Sequence, residues 1–349
     1  MTAADVIRLG TRGSQLALTQ SRQVAAAFEA LHPGVRVELE IIRTKGDRIT
    51  DVPLSRIGDK GLFTKELEVA LLEGRIDFAV HSMKDMPTTL PEGLIIGAVP
   101  LRKPPFDGLI TRTPGGFETL PTGARVATGS LRRRAQLRHA RPDLVLEEMR
   151  GNVPTRIGKL VEHGLDGIIL ALAGLSRLGV PEPGTDESVE FVVPDAWDEG
   201  LAGARVFVSA VPAQVCIPAV GQGALCLEAR EGDKRVLALL GALDDRLSHA
   251  EVRCERAIMR ALEGGCQVPI AAWATHDAGR LKVRAMVASL DGGRRLEATA
   301  EGMPDEAEHL GRTVADALRR QGAGDILDEI RVTGGADPLV GGEGARGDG

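Results

Sequence analysis

Two stretches of this chain echo each other, and that echo constrains the fold more than any other feature. Val6 to Leu9 reads as a strand, and Gly10-Thr11-Arg12-Gly13-Ser14 then opens a long amphipathic helix from Gln15 to about Leu31. Ala124 to Ala127 reads the same way, with Thr128-Gly129-Ser130 opening a helix at Leu131-Arg132-Arg133-Arg134. A second pair follows in the same order. Leu72-Glu73-Gly74-Arg75-Ile76-Asp77 leads into Phe78-Ala79-Val80, and Val161-Glu162-His163-Gly164-Leu165-Asp166 leads into Ile168-Ile169-Leu170. Two α/β domains of similar build, each around a mostly parallel sheet, produce this pattern.

Punctuation along the chain divides it further. Leu101 to Pro105, with its Lys-Pro-Pro core, reads as a hinge or linker. The pattern changes again at Pro218-Ala219-Val220-Gly221-Gln222-Gly223-Ala224, ahead of a strand at Leu225 to Glu228. From about His249 come a helix, a Gly-rich turn and strands at Ile270 to Thr275, Leu281 to Ser289 and Arg295 to Ala300. A final helix near Ala307 to Gly322 completes a small α+β third domain. The expected boundaries are 1–100 with 218–240, then 105–215, then 245–333, with a Gly-rich disordered tail over 334–349. Pro181 to Asp198 is acidic and turn-rich and reads as a surface excursion.

Composition removes several function classes. A net charge of −6 argues against a nucleic-acid partner, and aromatics at 3%, with no tyrosine, leave no base-stacking platform. No run approaches the roughly 20 apolar residues of a bilayer span, and the start shows no secretory pattern, so a cytoplasmic protein without a membrane partner is expected. Cys216, Cys226, Cys254 and Cys266 lack the paired spacing of a zinc or redox motif. Arginine far outnumbers lysine, and clustered guanidinium forks suit carboxylate or phosphate.

The chemistry concentrates where strands end. The apolar run Ile76 to Val80 passes straight into His81-Ser82-Met83-Lys84-Asp85-Met86-Pro87, and in open α/β sheets ligands bind beyond the carboxyl ends of strands. Asp85 is the candidate for acid–base or cation-stabilising work, with Lys84 as its charge partner. His81 could join them or be structural.

Ser14 and Ser130 stand at helix N-termini, ready anion sites beside Arg12 and Arg132–Arg134, although plain N-capping explains either serine alone. Three arginines in a first helical turn oppose the helix dipole, which calls for an anion partner. Arg150 and Arg156 flank a Gly-marked loop, and Arg177 follows the buried run Ile168 to Leu172. Together these sites suggest a polycarboxylate or polyphosphate ligand. The polar, Gly-punctuated segment from Thr44 to Phe63 reads as a lid or as a plain solvent loop. Cys266, after Gly264-Gly265 and before Pro269, reads as a thiol on an exposed turn with room for a bulky attachment, whereas the other three cysteines suit burial.

With these motifs assembled, the chain resembles the porphobilinogen deaminase (hydroxymethylbilane synthase) family from about Ile7 to Ile330. The resemblance rests on Thr11-Arg12-Gly13-Ser14, Lys60-Gly61-Leu62-Phe63-Thr64-Lys65-Glu66-Leu67-Glu68 and His81-Ser82-Met83-Lys84-Asp85. It continues through Ser130-Leu131-Arg132-Arg133, Arg150-Gly151-Asn152, Pro218 to Gly223 and Glu263-Gly264-Gly265-Cys266-Gln267-Val268-Pro269. It implies two domains like the halves of a type II periplasmic binding protein, with a cleft between them, and a third domain carrying the cysteine. It implies a transferase of porphyrin and haem biosynthesis that condenses four porphobilinogen molecules into a linear tetrapyrrole, losing ammonia at each step. A dipyrromethane cofactor, held by a thioether to Cys266, serves as the primer, with no metal.

By the same resemblance Asp85 is the catalytic aspartate, and Lys84 acts with it. Ser130, Arg132 and Arg133 join those two and Cys266 in holding the cofactor. Arg12, Ser14, Lys60, Phe63, Arg150, Arg156, Arg177 and Gln222 bind substrate, in a monomer.

Two departures from the family pattern stand out: Gly129-Ser130 replaces two serines, and the stretch from about Pro181 to Gln214 is long. A competing class is a two-lobed anion-binding or sensor protein that closes without reacting, against which Asp85 and Cys266 count. A phosphate-ester enzyme lacks both a P-loop and a metal-ligand constellation here.

Overall fold

The computed structural model describes residues 5–48, 61–184, 187–197, 199–263 and 268–333. Lys60, most of the lid-like segment, Cys266 and the tail from Gly334 lie outside the described residues.

The first echo is a real structural repeat. In the first half, β1 (Asp5–Thr11), α1 (Gln15–Leu31), β2 (Val35–Ile41), α2 (Lys45–Arg48), α3 (Lys65–Leu72), β3 (Phe78–Ser82) and β4 (Leu94–Ala98) follow in order. The second half runs β5 (Asp107–Thr111), β6 (Arg125–Ala127), α4 (Leu131–Ala140), β7 (Val145–Glu147), α5 (Val153–Glu162), β8 (Gly167–Ala171), α6 (Leu172–Arg177), β9 (Ser188–Val192) and β10 (Arg205–Ala210). Strand β11 (Leu225–Arg230) and helix α7 (Lys234–Leu240) then return to the first sheet.

The sheet orders are β2-β1-β3-β11-β4 and β7-β6-β8-β5-β10-β9. In each, the first strand of the repeat lies between its second and third, all parallel, as βαβ crossovers require. The sheets are nevertheless mixed rather than mostly parallel. Each includes an antiparallel strand delivered by a crossover: β5 enters the second sheet after residues 101–106, and β11 enters the first after residues 211–224. The strand expected at 225–228 and grouped with 1–100 is β11, whereas β5 and the antiparallel pairings were not expected.

Three smaller corrections follow. The strand expected at 76–80 is β3 at 78–82, so His81 and Ser82 are strand residues. The acidic excursion contains an edge strand, β9, held to β10 by backbone pairing and an Arg205–Glu190 contact of 3.2 Å. The helix expected at 307–322 is α9 (Ala307–Arg320), and an unexpected further helix, α10 (Ala323–Val332), follows the break where Gly322 takes φ +98°, a left-handed turn that glycine adopts without a Cβ penalty.

The third layer is α+β as expected. Helix α8 (Arg246–Ala261) precedes the antiparallel meander β12 (Ile270–Asp277), β13 (Arg280–Ala288) and β14 (Arg295–Gly302). α8, α9 and α10 bury Cys254, Ile258, Val314, Leu318 and Ile326 against one face of that sheet. The other face meets α4 and Ile217 through Ala271, Met286 and Ala288.

Helix α8 also grips both crossovers between the sheets. Arg102, in the first, donates to Glu255 at 2.7 and 3.1 Å and to Glu251 at 3.3 Å. Glu255 accepts the Gly221 N–H of the second crossover at 2.6 Å and the Ala274 N–H of β12 at 2.8 Å. A buried carboxylate needs such partners, and these join three layers at one point.

Candidate active site

The site forms where the carboxyl ends of β1, β3, β6 and β8 meet the crossovers, the switch-point position for an open α/β sheet. After Ser82 the chain makes one 3-10 turn, Met83–Asp85. The turn is fixed from below: the Met83 N–H donates to Ala224 O at 3.0 Å, and the Met83 side chain is buried with Met86, Val99, Cys226 and Val252. That anchoring leaves Lys84 and Asp85 half-buried on the turn. His81 faces the other way; its Nε2 lies 3.0 Å from Glu228 Oε2, both side chains being buried. Ser82 pairs with Gln20 of α1, whose Nε2 donates at 3.0 Å.

Asp107, the first residue of β5, is the organising group that sequence reading missed. It is fully buried and receives Arg132 Nη2 at 2.8 Å on one oxygen, with Arg133 Nη2 at 2.6 Å and Gln222 Nε2 at 2.9 Å on the other. The Cys216 thiol donates to it at 3.3 Å. Burial alone would raise this carboxyl, but Arg132 and Arg133 outweigh it and hold Asp107 well below the usual carboxylate range. The anion partner called for by the arginines of α4 is thus supplied, for two of them, by the chain itself. The only sign of it in the sequence is a carboxylate two residues after the Lys-Pro-Pro linker, at the head of an apolar strand.

Lys84 lies within the field of this cluster. Burial pushes its ammonium down to about 8, with Arg133 and Arg132 adding to the effect and Asp85 and Asp107 opposing it. Ser14 and Ser130 both cap their helices, accepting the N–H of Ala17 at 3.3 Å and of Arg133 at 3.4 Å. Gln222 is buried, and its amide N–H groups go to Asp107 and to Pro105 O at 2.6 Å. The Arg12 guanidinium stacks over the Phe63 ring, 4.2 Å from its centroid.

Three further arginines carry uncompensated charge. Arg150 has a buried Nη1 with no hydrogen-bond partner. Arg156 donates to Gly151 O at 2.8 Å, and burial, with Arg133 and Arg150 beside it, lowers it to about 10. Arg177 donates to Gly223 O at 2.8 Å and is lowered to about 10 by burial. Among the described residues no carboxylate is ion-paired with any of the three. Buried or part-buried cations with no paired carboxylate among the described residues make this part of the site suited to an anion. By contrast, a groove of about 620 Å³ between α4 and the third sheet has Arg284 and Arg295 both paired with Glu297 and offers no such imbalance.

Comparison with known proteins bears on the whole chain. The family model described as porphobilinogen deaminase, dipyromethane cofactor binding domain, matches residues 7–238, and that of the porphobilinogen deaminase C-terminal domain matches 249–320. A curated porphobilinogen deaminase of Moorella thermoacetica is 50% identical over 94% of this chain and 98% of its own length. One from Syntrophobacter fumaroxidans is 49% identical over 93% of this chain and 98% of its own. Among solved structures, the VFT2 domain of Bordetella pertussis BvgS aligns at TM-score 0.36 and 12% identity, over 67% of this chain and 84% of that one.

Proposed function

The chain belongs to the porphobilinogen deaminase family, and from that premise we propose how its residues divide the work. The activity is hydroxymethylbilane synthesis, a transferase reaction of tetrapyrrole biosynthesis that joins four porphobilinogen molecules head to tail and releases ammonia. The observation that carries the site assignment is a run of neighbouring charges from Lys84 through Arg132 and Arg133 to Arg156 and Arg150. Lys84 and Asp85 stand on one turn, and Arg132 and Arg133, which share the single carboxylate of Asp107, lie close enough to act on Lys84. Arg150, Arg156 and Arg177 supply cations without counter-charge.

Each porphobilinogen carries an acetate and a propionate, so a growing pyrrole chain supplies the charge that these three arginines lack. Arg12, Ser14, Lys60, Phe63, Arg150, Arg156 and Arg177 are assigned to it. Gln222 acts on substrate at one remove, by fixing Asp107.

As the aminomethyl C–N bond breaks, its electron pair leaves with nitrogen as ammonia, and positive charge spreads over the pyrrole and its methylene carbon. Asp85 stabilises that charge as it develops. When the new C–C bond forms it accepts the proton displaced from the pyrrole carbon, and it gives that proton to the amine of the next porphobilinogen before that C–N bond breaks. Lys84 holds a substrate carboxylate.

The arginine wall fits a dipyrromethane, whose two rings bear the same carboxylates; Lys84, Ser130, Arg132 and Arg133 border that space. When bound, this group supplies the pyrrole end on which the chain is extended. Attachment through Cys266 rests on the sequence motif alone. The three domains are assigned as 1–100 with 218–240, 105–215 and 245–333, which gives one sheet to each. A cytoplasmic monomer belongs to the same proposal. No helix of the described residues is long and apolar enough to cross a membrane, and Cys216, Cys226 and Cys254 are free.

Intact mass under denaturing conditions tests the reading. The expected result is an excess of two linked pyrrole units on the peptide containing Cys266, absent in Cys266→Ser. Asp85→Ala should fold and carry the primer yet barely turn over; near-normal turnover refutes its assignment.

A further inference from the structure

Helix α8 reaches the catalytic turn through one face. Val252 and Arg256 are one helical turn apart and so lie on the same side. Val252 is fully buried among Met83, Met86 and Cys226, directly beneath the turn. Arg256, 7% exposed, donates through Nη2 to Pro87 O at 2.8 Å and Thr88 O at 3.2 Å. Those carbonyls follow Asp85 by two and three residues.

No carboxylate among the described residues is ion-paired with Arg256. Taking a cation out of water without a bonded counter-ion is unfavourable, and tying down a surface loop would not require it. Pro87 stiffens the segment further by fixing its own φ. The turn is thus held at its entry by Ala224 O, from below by Val252, and at its exit by a buried guanidinium.

We infer that Arg256 is a positioning residue for Asp85, fixing the carboxylate's place from the third layer without touching substrate. The inference rests on Asp85 being the reacting carboxylate. A displacement of about 1 Å at a reacting group costs on the order of 100-fold in rate. Arg256 holds backbone rather than ligand, so its loss acts on turnover and not on substrate capture.

The experiment uses the full-length, primer-loaded enzyme, with loading confirmed by mass. Arg256→Gln should lower kcat by about 30- to 100-fold with KM within about threefold of wild type. Arg256→Lys keeps the charge and one donor and should recover roughly a third to a tenth of the wild-type rate, and it serves as the variant if the glutamine protein does not fold. In an Asp85→Glu background the carboxylate is already displaced, so adding Arg256→Gln should cost less than about threefold more.

A kcat per loaded molecule within threefold of wild type in Arg256→Gln, or one equal to wild type in Arg256→Lys if only that variant folds, overturns the inference. Equal losses from Arg256→Gln in the wild-type and Asp85→Glu backgrounds also overturn it, since independent sites add. A slow Asp85→Ala beside a fast Arg256→Gln removes this inference alone. A fast Asp85→Ala removes the reading of the site, and the inference with it.

Discussion

Lys84 is the residue whose chemistry the structure makes most measurable. Its ammonium drops from an ordinary 10.5 to about 8, first through burial and then through Arg133 and Arg132. That drop corresponds to roughly 3 kcal/mol of disfavoured charge, an upper figure because the side chain keeps some solvent contact. Below pH 8 both the folded and the unfolded chain hold the proton, and the folded one bears the full cost. Between pH 8 and 10.5 the folded protein has released it while the unfolded chain has not, so the cost fades and is gone above that range. Lys84→Met should therefore raise the urea midpoint of the ligand-free protein at pH 7, and the gain should vanish as pH approaches 10.5, while kcat/KM collapses. In the wild type, kcat/KM should fall as pH rises through about 8, because a neutral amine no longer binds a carboxylate. Lys84→Arg should move that alkaline limb upward. If Lys84→Met is no more stable than wild type at pH 7, or if the limb stays in place in Lys84→Arg, the electrostatic account of this turn is wrong.

Three other perturbations read neighbouring parts of the site. Asp107→Asn leaves the buried Arg132 and Arg133 uncompensated and should cost about 3 kcal/mol of stability at pH 7 by urea unfolding. The Asp107 carboxyl is depressed in the folded state, so the loss should shrink as wild type is acidified below about pH 4, where its own carboxylate begins to protonate in the unfolded chain. Gly223→Ala places a Cβ 2.2 Å from Lys103 O at φ +87°, which should force the two crossovers apart and sharply reduce the yield of folded protein. Glu68→Gln should raise the urea midpoint at pH 7: burial raises the Glu68 carboxyl, so its ionised form is a liability above that pKa, and the gain should disappear near pH 4, where both states are protonated.

What could be read in the sequence was whatever local pattern determines. β1, α1 and the three strands of the third layer follow from periodicity and caps, and Ser14 and Ser130 cap their helices as Gly-Ser turns do. Asp85 and Lys84 were visible because they interrupt an apolar run at the end of a strand. Strand β11 and its return to the first domain were legible from the break at 218–224, but β5 and the antiparallel pairings were not, because strand neighbours are chosen by tertiary contact: β11 pairs with β3 across well over a hundred residues of sequence. Asp107 and Arg102 were missed for a related reason. A buried charge is recognisable only from its partner, and theirs lie on α4 and α8, far along the chain.

The crossovers connect these two classes of residue. Gln222 joins Asp107 to Pro105 O, Arg177 reaches Gly223 O, and Gly221 N–H meets Glu255, so the second crossover is bonded to the arginine cluster, to α6 and to α8 within three consecutive residues. In a protein of two lobes joined by two strands, freedom between the lobes resides in those strands. Here their polar groups are already committed to the third layer and to the site. Growth of a polyanionic chain must then be accommodated mainly by the side chains of the arginine wall and by segments outside this junction, because any rotation of the lobes about the crossovers would break buried, charge-assisted bonds of about 1.5–3 kcal/mol each.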